Sequence, residues 1–565
     1  MQIKPLINKI IQDTLVKLDI NAKEVIVSEA TKPEFGDFQY NGAMPLAKEL
    51  KKNPREIAQN IASIIENNEI FSKVEIAGPG FINLTINSIF LEKSLATALD
   101  NRCGVSINKD PIKVVVDYSS PNMAKQMHVG HLRSTIIGDT IANLFEFLGD
   151  EVIRQNHIGD WGTQFGMLVT YFEEVGANAN MKLSDLEQFY KEAKARFDKS
   201  EEFANKSRAN VVKLQSGDTN TLKLWKSFIE KSLQHCQDIY DSLNVKLNSS
   251  NVKGESSYNN DLANIVSNLE EKNIAKISQD AKCIFFEDSQ NPLIIQKADG
   301  GYLYATTDLA AIKFRVQELK AKRICYVVDA RQAEHFKQVF TTAKKAGFAN
   351  NDTLLEHIAF GMMLDKSGRP FKTRDGGTVK LKDLITEAVK RAKSVINKAD
   401  EYTQEELEHI ARVVGIGSLK YADLSINRQS NYIFDWDKML SLDGNTALYM
   451  QYAYARINSI LAKAGDFEKN YIPTFSDELE RRLALKILSL EDTLNRAYKE
   501  AMPHLITNYL YELAGIFMRF YEQNPILKDG VSLEQRNTRL LLASATANAI
   551  KVSLDILGIE VLERI

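Results

Sequence analysis

Cysteine is scarce in this chain. Cys103, Cys236, Cys283 and Cys325 are the only four in 565 residues, and they stand far apart without a CxxC pair. That spacing excludes a disulfide framework and a zinc knuckle and fits a reduced cytoplasm. Long apolar runs are missing too: no stretch reaches the roughly 18 residues a membrane span needs. Lys4, Lys9, Asp13 and Asp19 break the apolar positions of the N-terminus, which therefore forms no signal peptide. There is no basic run. The net formal charge is −3, and residues 441–565 carry 14 basic against 16 acidic side chains, so charge alone does not point to a nucleic-acid partner. Low-complexity segments and internal repeats are also absent. The remaining class is an ordinary globular protein, 44% hydrophobic and 26% charged, long enough for about three to four domains.

What is present is concentrated in residues 117–135, which read Asp-Tyr-Ser-Ser-Pro-Asn-Met-Ala-Lys-Gln-Met-His-Val-Gly-His-Leu-Arg-Ser-Thr. The β-branched Val114–Val116 precedes this run, and Ile136, Ile137, Ile141, Leu144, Phe145 and Leu148 follow it at helical spacing. Strand, Ser/Pro/Asn turn and helix are the layout of a nucleotide-binding unit in a parallel sheet. A helix N-terminus presents free N–H groups and a positive dipole end to phosphates. His128 and His131 fall there, on one helical face. Gly130 between them has no Cβ, so a flat adenine and its ribose can approach the backbone. Two imidazoles can donate to phosphate oxygens as charge builds in a transition state.

Other readings of the histidine pair stay open on these residues alone. It can be a helix start with two solvated histidines. Metal ligation of the zincin kind is disfavoured, because Val129 and Gly130 fill a gap of the wrong length and no Glu follows His128. A nucleotidylyltransferase also uses HxGH, but its usual small size leaves residues 376–565 unexplained.

Around this run the chain divides by pattern. Residues 1–110 carry two helical patterns, Leu6 to Leu15 and Ile57 to Ile65, around short strand-like runs, with Phe35-Gly36-Asp37-Phe38-Gln39 as a loop-like cluster. Residues 111–375 alternate strand and helix, which predicts a doubly wound parallel sheet of Rossmann type. A polar, helix-prone insertion occupies about 175–245. From Lys380 the pattern is helical: 376–440 reads as a helical linker and 441–565 as an all-α bundle. The expected fold class is thus α/β, with an α+β N-terminal add-on domain and a C-terminal helical bundle.

The ordered motifs resemble a known family. His128-Val129-Gly130-His131 is similar to the HIGH motif of class I aminoacyl-tRNA synthetases. The flanking Ser-Ser-Pro-Asn-x-Ala-Lys and His-Leu-Arg-Ser-Thr resemble the arginyl-tRNA synthetases in particular. The likeness continues through Gly159-Asp160-Trp161-Gly162-Thr163-Gln164-Phe165-Gly166, Gly300-Gly301-Tyr302-Leu303-Tyr304, Gly361-Met362-Met363, Lys420–Ser425, Phe434–Asp437 and Tyr449–Tyr454. It spans almost the whole chain.

The resemblance implies an ATP-dependent, AMP-forming ligase. L-Arginine would attack ATP at the α-phosphate, and the 3′-terminal ribose hydroxyl of tRNA(Arg) would then take the arginyl group. Mg2+ would travel with the ATP phosphates, without a dedicated protein metal site. Residues 1–110 would contact the outer corner of the tRNA and 441–565 its anticodon. A cytoplasmic monomer with no membrane contact is expected.

For the site, the resemblance implies that His128, His131, Gly130, Met363 and Lys366 bind ATP. His128, His131, Lys125, Lys366 and Lys372 would stabilise the reacting phosphates. Glu255 and Asp308 would take the guanidinium, with Tyr304 against it and Gln332 completing the pocket; Ser119, Ser120 and Asn122 would hold the α-amino and carboxylate groups. Selecting a guanidinium over an ammonium requires acceptors placed for a fork, which suits paired carboxylates. One departure matters. The class I KMSKS loop corresponds to Lys366-Ser367-Gly368-Arg369-Pro370-Phe371-Lys372-Thr373-Arg374, where the compact two-lysine motif is missing. Lys125, three residues before His128, is expected to supply the missing charge. Another class I synthetase, for glutamate or cysteine, and a synthetase-like protein without catalysis are the competing readings; a charging assay with each amino acid separates them.

Overall fold

The computed structural model of the chain describes residues 3–22, 24–176, 183–371, 379–396 and 401–565. At its centre are four parallel strands in the spatial order Leu354–His357, Arg323–Tyr326, Lys113–Asp117 and Glu151–Gln155. Val114, Val115 and Val116 are each fully buried. That is why the central strand reads as a continuous apolar run and not as an alternating one. The chain leaves Asp117, runs through helix Val129–Leu148 and returns on one side as Glu151–Gln155. Arg323–Tyr326 pairs with Lys113–Asp117 on the other side. The strand order therefore reverses beside Lys113–Asp117. The crevice at the carboxyl ends of two such strands is where open α/β sheets bind ligands.

Helix Val129–Leu148 stops at Gly149, whose φ of +103° ends the last turn in the left-handed region. Three helices, Leu183–Lys199, Glu201–Gln215 and Thr219–Ser242, form the polar stretch after the second strand. The last of them is pinned to the turn ahead of helix Val129–Leu148 and to the loop after strand Glu151–Gln155: Ser232 Oγ donates to Met123 O at 2.5 Å and Trp225 Nε1 to Asp160 O at 2.7 Å. A small antiparallel sheet, Lys276–Ser278, Ala281–Ile284 and Leu293–Gln296, leans over the cavity mouth.

The N-terminal region is a four-stranded antiparallel sheet, in the order Val27–Glu29, Phe38–Tyr40, Phe81–Ile86 and Phe71–Ala77, covered by helices. The Phe35–Gln39 cluster, expected as a loop, enters a strand at Phe38, whose ring is buried. Gly36 (φ +76°) makes the tight approach, since a Cβ there would sit 2.7 Å from Leu84 O. Asp37 then reaches the C-terminal bundle, accepting from Arg481 Nη1 at 2.9 Å.

The bundle comprises Gln404–Leu424, Ala447–Ala464, Glu478–Leu488, Leu490–Glu500, His504–Gln523 and Leu533–Ile556. Thr403 and Glu406 close a capping box at the first of these. Leu483, Leu494, Leu510, Phe517, Leu540 and Ile550 are fully buried between the helices. One apolar core runs without a break from Ile3 through the sheet to Ile559. The expected fold class is the one observed.

Candidate active site

A cavity of about 550 Å³ opens at the carboxyl ends of the central strands. Its lining combines Asp117, Ser119 and Ser120 after the first strand, Gly130 and His131 at the helix start, and His157 after the second strand. Glu255, Tyr304, Asp308, Gln332 and His335 close the other end. A larger hollow of about 690 Å³ lies between the N-terminal sheet and the bundle. It is remote from the sheet crevice, and its main cations are already committed, Arg481 to Asp37 and Lys486 to Glu512.

The helix start is built by the histidines themselves. His128 is the N-cap; its Nδ1 accepts the Gly130 N–H at 3.0 Å. The His128 N–H in turn donates to His131 Nδ1 at 3.1 Å. An imidazole that accepts at Nδ1 carries its proton on Nε2 when neutral. Burial, followed by the charge of Lys125, holds the His128 pKa below its usual value. Burial and the neighbouring His128 push His131 down to about 3. Both rings, 4.1 Å apart, are therefore neutral near pH 7, with an Nε2–H free of the backbone. Gly130 has a reason beyond access for adenine: a Cβ there would meet the His128 ring at 2.8 Å, so a side chain would break the cap.

Lys125 is exposed, with Nζ 5.3 Å from the centre of the Tyr190 ring on helix Leu183–Lys199. The segment after the lysine loop comes back to the same place. Val129 N–H donates to Val379 O at 2.9 Å, and Leu381 N–H donates to Met127 O at 3.1 Å. Lys366 is mostly exposed and pairs with Asp435 at 3.2 Å and Asp437 at 3.7 Å, away from the cavity lining. Lys372 lies outside the described residues. Met363 is buried in a two-residue pairing with Tyr432 and does not line the cavity.

At the far end, Tyr304 and Asp308 stand one turn apart at the start of helix Tyr304–Gln317. Glu255 begins a short 3-10 turn, and Gln332 precedes helix Ala333–Lys345. The Glu255 turn is braced by Asp160, which accepts from Ser256 N–H at 2.9 Å and Ser256 Oγ at 2.6 Å. Burial, then the charges of Asp160 and Asp308, push Glu255 up to about 8. A carboxyl group so displaced lacks a cation, and a cationic ligand is what this end would bind best.

The residues expected to hold the α-amino and carboxylate groups are differently occupied. Ser119 and Ser120 both take positive φ, +69° and +45°, an unusual pair for non-glycine residues at a ligand-facing turn. The Ser119 hydroxyl is buried against Tyr240 OH at 2.8 Å and Thr135 Oγ1 at 3.0 Å. Ser120 Oγ donates to Asp117 Oδ1 at 2.9 Å. Asn122 is not in the lining; its Nδ2 donates to Gln164 at 3.0 Å and its Oδ1 accepts from Ala124 N–H at 3.0 Å. Asn122 shapes the turn that delivers Lys125 and His128.

Sequence reasoning missed several participants. His335 meets Asp308, and His157 lines the cavity with a buried Nδ1 that has no hydrogen-bond partner. Arg315, fully buried, donates to Asp117 at 2.7 Å and to Gln155. Arg133, also buried, holds Gly361 O at 2.7 Å and Ser430 O at 3.1 Å and pairs with Asp423. The local pattern offered one signal, a charged residue inside an apolar-periodic helix; the partners are far away in sequence. No group of three His, Cys, Asp or Glu side chains among the described residues is placed to hold a metal ion.

A doubly wound parallel sheet, an HxGH helix start at its switch point and a C-terminal helical bundle define a class I aminoacyl-tRNA synthetase. Comparison with known proteins narrows this. Residues 94–436 match the model of the class I tRNA synthetase (R) catalytic domain. Residues 450–565 match the DALR anticodon binding domain, and 1–86 the arginyl tRNA synthetase N-terminal domain. The chain is 49% identical over 573 residues to the arginine–tRNA ligase of Chromobacterium violaceum, covering all of both chains. It is 50% identical over 553 residues to that of Hahella chejuensis, covering 95% of each. The crystal structure of arginyl-tRNA synthetase from Plasmodium falciparum superposes with a TM-score of 0.88 over all of both chains, at 32% identity. The chain belongs to the arginyl-tRNA synthetase family.

Proposed function

We propose that the cavity at the sheet edge is where arginine and ATP react, with the guanidinium between Glu255 and Asp308 and the phosphates over the start of helix Val129–Leu148. The chain is an ATP-dependent arginine–tRNA ligase. A carboxylate oxygen of arginine attacks the α-phosphorus, the bond to the bridging oxygen breaks, and pyrophosphate departs. The terminal ribose hydroxyl of tRNA then attacks the carbonyl carbon of the adenylate, and AMP leaves. Neither step needs a protein nucleophile, so positioning and charge stabilisation carry the catalysis.

One observation carries the site reading. The cavity that His131 lines, with a neutral Nε2–H, is also lined by Asp308 and by Glu255, whose carboxyl is pushed up to about 8 for want of a cation. In this reading His128 and His131 donate to the α-phosphate oxygens, and Lys125 faces the departing pyrophosphate. Lys366 and Lys372 act from the loop that returns beside His128. Tyr304 lies along the guanidinium, Gln332 fills the end of the pocket, and Ser119 and Ser120 line the α-carbon end. Met363 contributes to the adenine pocket as a packing residue. Mg2+ would travel with the ATP phosphates, as the family resemblance implies.

Residues 441–565 take the anticodon arm of tRNA(Arg), and 1–110 its outer corner. The enzyme acts as a cytoplasmic monomer. The four cysteines, all free and buried, support a reducing compartment, and no helix among the described residues is long and apolar enough to cross a membrane.

Asp308→Asn tests the site. It removes one charge from a charge-assisted pair, about 1.5–3 kcal/mol. The arginine KM is expected to rise roughly 10–100-fold with the ATP KM little changed. An unchanged arginine KM and kcat/KM would reject Asp308 as a specificity residue.

A further inference from the structure

Asp308 is held by a side chain from a different helix. His335 Nε2 stands 2.6 Å from Asp308 Oδ2. An ionised carboxylate only accepts, so the imidazole donates whatever its own charge. His335 sits in the first turn of helix Ala333–Lys345, three residues after Gln332, and both line the cavity. The next residue, Phe336, is buried and anchors this turn to the sheet, with its ring 5.0 Å from Tyr326 and 4.9 Å from His357. His335 packs edge-on to that ring at 5.4 Å. The imidazole is thus fixed from the sheet side. Helix Tyr304–Gln317, which carries Asp308, has no side-chain cap of its own.

A short carboxylate on a helix has more than one staggered rotamer available. An ammonium ligand, being a point charge, tolerates several carboxylate orientations. A guanidinium does not: its planar fork needs the two carboxylate oxygens in one plane with it. A carboxylate has about four lone-pair sites, and His335 takes one of them. Oδ1 and the second site of Oδ2 stay available for the fork.

We propose that His335 is a positioning residue for arginine selection, acting through Asp308. Its Nε2–H fixes one carboxylate oxygen and so orients the group for a guanidinium. This rests on the reading that Asp308 binds the guanidinium.

The test uses the full-length enzyme in steady-state charging assays. Four variants are compared: His335→Ala, His335→Gln, Asp308→Asn and the double variant Asp308→Asn with His335→Ala. Loss of one charge-assisted hydrogen bond predicts an arginine KM raised on the order of tenfold in His335→Ala. The ATP KM and the kcat at saturating arginine should stay within about twofold. Gln places an N–H near the position of Nε2, so His335→Gln should recover most of the loss. In the double variant, removing His335 should add little to Asp308→Asn, since the two act as one unit.

An arginine KM unchanged in His335→Ala overturns the proposal. So do a parallel rise in the ATP KM, a Gln variant as poor as Ala, or additive losses in the double variant. If His335→Ala does not fold, His335→Phe, which keeps a ring without the N–H, takes its place. A raised arginine KM in His335→Phe with a near-normal one in His335→Gln supports the positioning role; a near-normal KM in both, or an equal loss in both, overturns it. The two layers separate cleanly. If Asp308→Asn leaves the arginine KM unchanged, the guanidinium reading itself fails. If Asp308→Asn raises it and His335→Ala does not, only the role of His335 fails.

Discussion

At the start of helix Val129–Leu148 and in the turn after Leu364, the chain positions the side chains proposed for phosphate binding in opposite ways. In the helix start both Nδ1 atoms are consumed by backbone N–H groups, so geometry, tautomer and charge follow from local chain order. In the turn, Asp365 organises the backbone by accepting from Ser367 N–H at 2.8 Å and Arg369 N–H at 3.1 Å, and Gly368 supplies a φ of +75°. None of this reaches the Lys366 ammonium, which is exposed and shared between Asp435 and Asp437. A side chain that caps its own helix is placed by the backbone. A long cation on a turn is placed by whatever anion arrives.

The comparison breaks most sharply at His131. His131→Ala removes an Nε2–H donor and the acceptor for the His128 N–H. Loss of one preorganised donor costs about 10²–10³ in rate, so adenylate formation, read by arginine-dependent pyrophosphate exchange with tRNA present, should fall by that factor. The lost cap should cost only about 1 kcal/mol of stability. An exchange rate within a few-fold of normal would mean the helix start is scaffold and not transition-state machinery.

The same contrast explains what was legible in the sequence. The helix start was readable from the strand–turn–helix order around residues 117–135, but His128 stands at the N-cap with φ −121° and is not on the helix face where spacing put it. That Tyr304 and Asp308 share a helix was readable from their spacing of four residues. The parallel sheet was readable from the alternation of strand-like and helical runs over 111–375, and Val114–Val116 proves to be its buried central strand. His335 was not readable, since its meeting with Asp308 depends on two helices docking on the same sheet edge. The resemblance, not local spacing, put Ser119 and Asn122 at the α-amino and carboxylate end; in the fold Ser119 also meets Tyr240 from the inserted helix and Asn122 meets Gln164, partners that no local pattern shows. Arg133 and Arg315 lie inside helices, and only tertiary structure gives them buried carboxylate and carbonyl partners.

Two lysines sharpen the comparison. Lys125 is delivered by the turn that Asn122 closes and already lowers the pKa of His128 by its charge. Lys366 must leave Asp435 and Asp437 before it can meet a phosphate. Lys125→Ala should therefore lower kcat for adenylate formation by about 10², with little change in the arginine KM. Lys366→Ala should cost less, about tenfold, because breaking an exposed pair offsets part of any new contact. Transfer from preformed adenylate should be less affected in both, since pyrophosphate has already gone. Equal losses in the two variants would show that the loop is as preorganised as the helix start.

A last expected effect separates the two ends of the cavity by pH. His131, pushed down to about 3, does not titrate between pH 6 and 9 in the empty site, so it adds nothing there to the pH dependence that the ATP phosphates bring themselves. Glu255, pushed up to about 8, does titrate there. Below that pH it is mostly protonated in the empty site. A bound guanidinium favours the carboxylate, so arginine binding must expel the proton. Binding that releases a proton strengthens as pH rises, by at most about tenfold per unit, and levels off once the group is already ionised. The arginine kcat/KM should thus climb from pH 6.5 toward about 8 and flatten above it. Arginine itself also titrates in this range, so the decisive quantity is the difference between the wild type and Glu255→Gln. Glutamine has no proton to lose, and in that variant the Glu255-dependent part of the slope should vanish while the ATP KM keeps its wild-type pH profile. Parallel arginine slopes in the two enzymes would remove Glu255 from the arginine end.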